Sequence, residues 1–374
     1  MNAIEHKSEN SVKNILVLIF VAVIVTIASV EVMLRLTIDY LPETMQINLK
    51  TLQGAIEREN MRLPDDYTGN KFKPNYNMFI NYPEYRHLEH TNSLIFDDVG
   101  FVDDGINGSV YGVVVGDSFT EGVGVGLQDK WVEILEKNTG KDFVNMGFGA
   151  FSATQATRVF DKWGTKLHPK IVIYQFNPTD LVEDIQFKEW LDAGRPGYYR
   201  EFDSRKKPFF ELRRFISNNF ISYRMVSLFS KTNKDQFIYR DNNIKISLRR
   251  NADFSTNDYE RGFEIAKNSI LSMKKTAENS GTKLIIILIP LREQLYYGLE
   301  SSEKDKVFWP NQAMMKLCKE NFIECYDTTQ DFDTYKNDQI YFVYDGHFNK
   351  FGYNLLANFT QKFLEQKTLT NLTS

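Results

Sequence analysis

Residues 110–122 read VYGVVVGDSFTEG, a continuous apolar run that ends in a glycine, an aspartate and a serine. A run of this length and composition is typical of a strand buried on both faces of a sheet. The polar turn that follows places Ser118 at the carboxyl end of that strand, which is where open α/β sheets bind their ligands. The segment therefore predicts a parallel sheet with a functional residue at its edge.

Similar apolar runs recur along the chain and alternate with helical patterns. The runs lie at residues 143–144, 171–176, 284–289 and 322–323, and the helical patterns at 131–137, 153–163, 263–277 and 312–319. Alternation of this kind indicates a mostly parallel sheet with helices on both faces. We expect a three-layer α/β/α domain over residues 109–366, preceded by a lead-in segment at 37–108 and followed by a tail at 367–374.

The composition excludes several classes of protein. The 374 residues carry 45 Lys and Arg against 49 Asp and Glu, a formal net charge of -4, so a strongly basic nucleic-acid binder is excluded. Two cysteines are too few for a disulfide framework or a structural zinc module. Cys318 and Cys325 are either a single bridge in an oxidising compartment or two packed thiols, and the sequence leaves both open.

An apolar segment precedes the predicted domain. Residues 15–36, from Ile15 to Leu36, follow a polar tail at residues 1–14, and the first sixteen of them carry no charge. A helix of about 20 residues rises about 30 Å, the thickness of the hydrocarbon core of a membrane. The segment is either an uncleaved transmembrane anchor or a signal peptide cut after Ala28. We favour the anchor because the apolar run continues beyond that cleavage site.

Charges beside this segment predict its orientation. Lys7 and Lys13 precede the uncharged stretch, and Arg35 lies at its far end. Basic residues favour the cytoplasmic side of a membrane. We therefore expect a single-pass protein whose amino terminus is inside and whose remaining chain is extracytoplasmic.

The alternation of strands and helices is interrupted at residues 185–259, which we interpret as a helical insertion. The stretch from Arg205 to Arg250 contains twelve Lys and Arg against three Asp and Glu, a net charge of +9, with aromatic residues between them. One interpretation is a solvated basic face. The other is a surface that contacts anionic lipid or an acidic glycan.

Two polar segments carry the residues needed for nucleophilic catalysis. Ser118 lies on a turn before a predicted helix, and residues 345–349, DGHFN, come just before the last helix. A nucleophilic serine needs a base whose imidazole is oriented by a third group. We predict Ser118 as nucleophile, His347 as base and Asp345 as the orienting group. Helix capping by Asp117 and Ser118 and a surface histidine are the ordinary alternatives.

Two further segments offer hydrogen-bond donors at the same predicted edge. Residues 145–152, NMGFGAFS, follow the second predicted strand, and residues 177–180, NPTD, follow the third. Small residues there let a backbone N–H approach a substrate, and an Asn amide or Thr hydroxyl donates beside it. Ordinary turn formation is the alternative for both segments.

Together these four segments resemble the SGNH, or GDSL-type, hydrolase superfamily over roughly residues 95–365. GDSFTEG resembles its nucleophile block, VNMGFGAFSATQ its second block, IYQFNPTDL its third and YFVYDGHFNKFG its last. The resemblance implies a flavodoxin-like three-layer sandwich without metal or organic cofactor. It also implies a triad of Ser118, His347 and Asp345.

The same resemblance implies an oxyanion hole, with two departures from the family pattern. The donor glycine of the second block falls on Ala150, with Gly149 one residue earlier. The asparagine of the third block falls on Thr179, with Asn177 two residues earlier. The implied donors are therefore the N–H of Ser118, the N–H of Ala150 or Gly149, and the side chain of Asn177 or Thr179.

The implied function is a serine-dependent hydrolase of an acyl ester. Asp345 stands two residues before His347, a spacing used by membrane-associated relatives that handle O-acetyl groups of polysaccharides. With the predicted anchor, this suggests an O-acylated cell-envelope glycan or a lipid as substrate. An O-acyltransferase with the same triad is one alternative, because only the acceptor differs. A non-catalytic glycan-binding or assembly protein on a decayed hydrolase core is the other.

Overall fold

The computed structural model describes residues 2–230, 236–241, 243–249, 253–296 and 301–372. Its strands are β1 Arg62–Asp65, β2 Gly69–Phe72, β3 Asn77–Asn81, β4 Arg86–His90, β5 Gly112–Gly116, β6 Phe143–Gly147, β7 Ile171–Phe176, β8 Gln236–Asp241, β9 Ile244–Arg249, β10 Lys283–Leu288 and β11 Glu324–Asp327. Its helices are α1 Asn2–Thr37, α2 Glu43–Arg58, α3 Ser118–Glu121, α4 Trp131–Thr139, α5 Ala153–Lys162, α6 Asp180–Asp192, α7 Phe202–Arg205, α8 Phe210–Asn219, α9 Ile221–Ser230, α10 Asn257–Asn279, α11 Arg292–Tyr296, α12 Ser301–Glu320, α13 Thr329–Asp333 and α14 Lys350–Leu372.

Five of the strands form one parallel sheet in the order β11-β10-β7-β5-β6. The first strand of the sheet along the chain, β5, pairs with β6 on one side and β7 on the other, so the strand order reverses there. This is the flavodoxin-like order, in which ligands bind outside the strand ends at the point of reversal. The predicted parallel α/β sheet is confirmed, and the end of β5 lies at its switch point.

Side chains of the central strands alternate between two hydrophobic clusters. Val113 and Val115 belong to one cluster, which includes side chains of α5, α6, α10 and α12. Val114 belongs to the other, which includes side chains of α4, α11, α13 and α14. Because both faces of β5 are covered, its sequence is continuously apolar rather than alternating. This is the three-layer arrangement that the sequence predicts.

The chain divides into two compact units. Among the described residues, the first contains residues 2–57 and 207–230, and the second contains the rest. The first unit holds α1, α2, α8 and α9, and its segment Lys13–Tyr40 is long and apolar enough to cross a membrane. The second unit holds the parallel sheet.

Two of the predicted segments differ in the structure from what the sequence suggested. The lead-in segment is split at Arg58, and its later part forms the hairpins β1–β2 and β3–β4. The insertion is not wholly helical, because it contains the antiparallel hairpin β8–β9. Ile244, Ile246 and Leu248 of β9 are buried in the second hydrophobic cluster. Residues 244–249, IKISLR, alternate apolar and polar side chains, which is the period-two pattern of a half-buried strand, so this strand could have been predicted.

The last strand of the sheet begins later than predicted. Phe322 lies in the turn after α12 with a φ of 54°, so β11 starts at Glu324 rather than at residue 322. Cys318 and Cys325 form a disulfide across this turn, with their Cα atoms 6.1 Å apart. Of the two interpretations of these cysteines, the structure has the bridge.

Candidate active site

Ser118 lies at the switch point of the sheet. It follows β5 at once and is the first residue of α3, which Asp117 caps by accepting the Phe119 N–H at 2.9 Å. Gly122 ends the helix with a φ of 77°, the left-handed conformation that glycine adopts without steric cost. The capping role of Asp117 and the exposure of Ser118 at the sheet edge are therefore features of the same turn.

The structure brings the three predicted catalytic side chains into one hydrogen-bonded chain. Ser118 Oγ lies 2.7 Å from His347 Nε2, and His347 Nδ1 is hydrogen-bonded to Asp345 Oδ1. Burial by itself would raise the pKa of Asp345, but the charge and hydrogen bond of His347 and the hydroxyl of Tyr85 lower that pKa to about 2. Asp345 is thus a carboxylate at neutral pH. A carboxylate only accepts hydrogen bonds, so His347 Nδ1 is the donor to Asp345, and in a neutral imidazole this leaves Nε2 to accept from the serine hydroxyl.

His347 is packed on one side and open on another. The ring of Phe119 contacts the imidazole, with the ring centroids 5.0 Å apart. The His347 side chain nevertheless remains 22% exposed, which leaves the triad accessible to a ligand.

Two residues of the lead-in segment hold the loop that carries Asp345. The Glu84 carboxylate accepts three consecutive backbone N–H groups, from Val343 at 2.6 Å, Tyr344 at 3.0 Å and Asp345 at 2.8 Å. The Tyr85 hydroxyl donates to Asp345 Oδ2 at 3.0 Å. Glu84 and Tyr85 lie on the turn between β3 and β4. Their role could not be predicted from the sequence, because they are about 260 residues from their partners and carry no local motif.

The turn after β6 contains the second set of predicted residues. The Phe151 N–H donates to the Phe148 carbonyl at 3.1 Å and closes a turn whose third residue, Ala150, has a φ of 62°. A positive φ at the third residue of a turn favours glycine. A Cβ on Gly149 would lie 3.6 Å from Ser118 Cβ, so this turn lies directly against the nucleophile.

The Gly149 N–H is not free to donate to an oxyanion, because it donates to Glu121 Oε2 at 2.6 Å. Glu121 is fully buried and is hydrogen-bonded to the Arg58 guanidinium. Burial would raise the pKa of Glu121, but Arg58, Arg62 and Lys130 lower it below its usual range. Glu121 is therefore an ionised residue that holds the Gly149 turn. Glu121 belongs to the GDSFTEG segment. Its charge at the end of a buried helix is the feature of the sequence that could have identified it.

The turn after β7 is held by the other carboxylate beside Ser118. Asn177 Nδ2 donates to Asp117 Oδ2, and Asn177 Oδ1 accepts the Thr179 N–H at 2.8 Å and the Thr179 hydroxyl at 2.6 Å. Burial raises the pKa of Asp117 to about 6, although the Phe119 N–H, His347 and Asn177 oppose the rise. Of the two predicted residues, Asn177 is the one that contacts the nucleophile turn.

Neither the Ser118 N–H nor the Ala150 N–H donates to an acceptor within the described part of the chain. The N–H of a first helical residue has no partner inside its own helix. Ala150 follows Gly149, which lies against Ser118. These two N–H groups are therefore available to an anionic oxygen beside Ser118.

A cavity of about 190 Å³ opens beside Ala150. The side chains that line it with Ala150 are mostly polar, namely Glu183, Gln186, Tyr199, Arg200, Phe202 and Asp203. Carboxyl, amide and guanidinium groups suit a ligand that bears hydroxyl groups. Among the described residues, no cluster of His, Cys, Asp and Glu is placed to hold a metal ion.

Comparison with known proteins finds similarity to solved structures alone. No family model matches the sequence, and no curated protein does. A lipolytic protein of the G-D-S-L family from Desulfitobacterium hafniense is 14% identical, with a TM-score of 0.40, over 68% of this chain and 98% of its own. A GDSL-like lipase from Bacteroides thetaiotaomicron is 14% identical, with a TM-score of 0.38, over 69% and 89%.

A third similar structure is the lipase/acylhydrolase from Enterococcus faecalis, 11% identical, with a TM-score of 0.39, over 69% of this chain and 97% of its own. Two of these three proteins are described as GDSL proteins, the family that the sequence motifs resemble. At these identities and scores, function has to be inferred from the site itself.

Proposed function

We propose that this protein is a membrane-anchored serine hydrolase of acyl esters. In this proposal Ser118 is the nucleophile, His347 the general base and Asp345 the group that orients the imidazole. The observation that carries the proposal is the continuous hydrogen-bonded chain from Ser118 Oγ through His347 to Asp345. A packed but non-catalytic core has no need to place these three groups in that order, which weighs against a decayed hydrolase.

Acylation begins with proton transfer from Ser118 to His347. Ser118 Oγ forms a bond to the ester carbonyl carbon as Nε2 takes the hydroxyl proton, and the carbonyl oxygen becomes an oxyanion. The N–H groups of Ser118 and Ala150 donate to that oxyanion. When the carbon–oxygen bond of the alcohol breaks, His347 returns the proton to the departing oxygen. The acyl group then remains as an ester on Ser118.

Deacylation repeats these steps with water. His347 takes a proton from water as its oxygen attacks the acyl carbon, and it then protonates Ser118 Oγ as the bond to the serine breaks. The products are a carboxylic acid and the free enzyme. If a sugar hydroxyl replaces water, the same steps transfer the acyl group to that sugar.

We infer that the substrate is an O-acylated glycan of the cell envelope rather than a lipid. The cavity beside Ala150 is lined mainly by polar side chains, which match the hydroxyl groups of a sugar better than an acyl chain. Arg200 in this cavity donates to the Gly149 carbonyl at 3.4 Å, so the cavity wall and the proposed oxyanion turn are linked.

We place the catalytic unit outside the cytoplasm, on an uncleaved anchor. Lys7 and Lys13 before the apolar segment favour an inside amino terminus. The disulfide between Cys318 and Cys325 supports the same placement, because disulfides persist in oxidising compartments.

The test is hydrolysis of an aryl acetate by the full chain in detergent or vesicles. Ser118→Ala is expected to lower kcat/KM by about 10⁴-fold or more with an unchanged melting temperature. Ser109→Ala is the matched control, since Ser109 is exposed, and it is expected to keep full activity. Equal activity of the two variants would contradict the proposal. Product analysis with an acetylated glycan, with and without an unacetylated acceptor, separates hydrolysis from transfer.

A further inference from the structure

The first compact unit carries an apolar surface that the proposed reaction does not use. In α8, Leu212 and Phe215 are 57% and 59% exposed, and Phe209, just before the helix, is 78% exposed. Residues spaced by three lie on the same side of a helix. Large apolar side chains that are exposed in a row mark a surface that contacts another apolar phase.

Basic side chains flank this apolar row. Lys207, Arg213 and Arg214 are exposed, and Arg214 is paired with Glu211 at 2.9 Å. Arg224 of α9 does not contribute, because it is buried and donates to the carbonyls of α8. Among the described residues of this unit, the broad basic stretch predicted from the sequence is thus reduced to a patch at α8.

Hydrogen bonds tie the junction of α8 and α9 to α1. The Glu31 carboxylate accepts the N–H groups of Ile221 and Ser222, each at 2.9 Å, and the Ser222 hydroxyl at 2.8 Å. Arg35 donates to the Asn219 carbonyl at 2.7 Å. Glu31 is the first charged residue after the uncharged residues 14–30. The junction is therefore held where the apolar part of α1 ends.

We propose that α8 lies on an anionic lipid surface. Phe209, Leu212 and Phe215 enter the boundary between acyl chains and headgroups, and the basic patch contacts the headgroup phosphates. The inference rests on the membrane anchor of the proposed function, because that anchor brings the α8–α9 junction to the membrane boundary. An acidic glycan would satisfy the charges but would leave the three apolar side chains in water.

Nitroxide labels on the full chain in phosphatidylcholine vesicles containing phosphatidylglycerol test this inference. The native cysteines are joined in a disulfide, so an introduced cysteine is the only labelling site. Leu212→Cys reports the apolar row, Asn218→Cys reports an exposed polar position about 120° around the helix from Leu212, and Ile24→Cys reports the anchor. The ratio of oxygen to nickel-chelate collision rates is expected to be severalfold higher at Leu212 than at Asn218.

Each other outcome overturns the inference for a distinct reason. Equal ratios at Leu212 and Asn218 would mean that α8 lies in water, and protection of Leu212 from both reagents would mean that protein covers it. Nickel accessibility at Ile24 would overturn the anchor as well. Ester hydrolysis measured on the same vesicles shows separately whether the proposed activity holds.

The charge on the lipid is tested by the double variant Lys207→Glu, Arg213→Glu carrying the label at Leu212. The collision ratio is expected to fall on vesicles with phosphatidylglycerol and to stay unchanged on phosphatidylcholine alone. An unchanged ratio on both would contradict the preference for anionic lipid.

Discussion

The turn after β5 and the turns after β6 and β7 meet at one edge of the sheet but are organised differently. On the nucleophile turn, Ser118 is connected outward to His347. On the other two turns, two of the four donors that the sequence suggested are hydrogen-bonded to carboxylates of the Ser118 turn. Gly149 N–H donates to Glu121, and the Asn177 amide donates to Asp117.

In the proposed mechanism, this difference separates the residues that react from the residues that hold the turns in position. Asp117 and Glu121 lie one residue before and three residues after Ser118, and each holds one neighbouring turn in place. The donors left for an oxyanion are then the N–H groups of Ser118 and Ala150. The two carboxylates act through the turns they hold, and they do not touch the reacting atoms.

Asp345→Asn should have the largest effect in this comparison, because it acts on the nucleophile side. An amide cannot stabilise the imidazolium and favours the wrong tautomer of His347, so kcat is expected to fall by about 10⁴-fold. Steady-state kinetics on an aryl acetate measure this, with circular dichroism as the folding control. A fall of less than tenfold would mean that Asp345 does not orient the base.

Glu121→Gln should have the next largest effect, through the turn at Gly149. The neutral amide weakens the hold on the Gly149 N–H and misplaces the Ala150 donor, which is expected to lower kcat by about 10²-fold with little change in KM. Arg58→Met is the matched control, because it removes a partner of Glu121 but leaves the hydrogen bond to Gly149. Both variants are expected to lower the melting temperature, and a loss of kcat equal in both would identify Glu121 as merely structural.

Asp117→Asn tests the role of Asp117 through the pH dependence of the free energy of unfolding. A carboxyl whose pKa rises on folding, here to about 6, contributes its full stability below about pH 4 and loses it as pH rises through 6. Relative to Asp117→Asn, the wild-type free energy of unfolding should therefore fall by about 2 kcal/mol between pH 4 and pH 7. Urea unfolding at a series of pH values measures the difference. Parallel curves would show that Asp117 does not titrate in this range.

Ala150→Gly should have the smallest effect. Relief of the positive φ is worth about 1–2 kcal/mol, and the greater freedom of glycine in the unfolded chain offsets about 0.5–1 kcal/mol of it. A small net gain in stability is expected, with kcat/KM unchanged because the N–H is retained. Thermal unfolding and kinetics check both. A marked loss of rate would mean that the Ala150 methyl group contacts the substrate.

The sheet could be predicted, and Ser118, Asp345 and His347 could be chosen as candidates, because the patterns that mark them are local in the sequence. Continuous apolar runs indicate strands covered on both faces, and GDSFTEG and DGH each lie on one short turn. The hairpin β8–β9 was not predicted, although its buried Ile244, Ile246 and Leu248 alternate with polar residues as in a half-buried strand. The basic side chains between them were interpreted as one face of a helical insertion. The helical insertion expected there was wrong in that part.

The contacts that hold the loops of the site come from residues distant in the sequence, so they could not be predicted from it. Glu84 and Tyr85 reach the Asp345 loop from a hairpin about 260 residues earlier. Arg58 reaches Glu121 from the end of α2. Such pairings are set by tertiary packing, so no spacing in the sequence reveals them. The proposed choice of oxyanion donors likewise depends on tertiary contacts that only the structure provides.

Labelling with a fluorophosphonate tests the central claim, that Ser118 is activated by His347, most directly. The full chain is treated with the probe, and the modified residue is found by peptide mass spectrometry. We predict a single adduct on Ser118 that forms in the wild type and is lost in His347→Ala. A folded wild-type protein that stays unlabelled, or that is labelled at another residue, would contradict the claim.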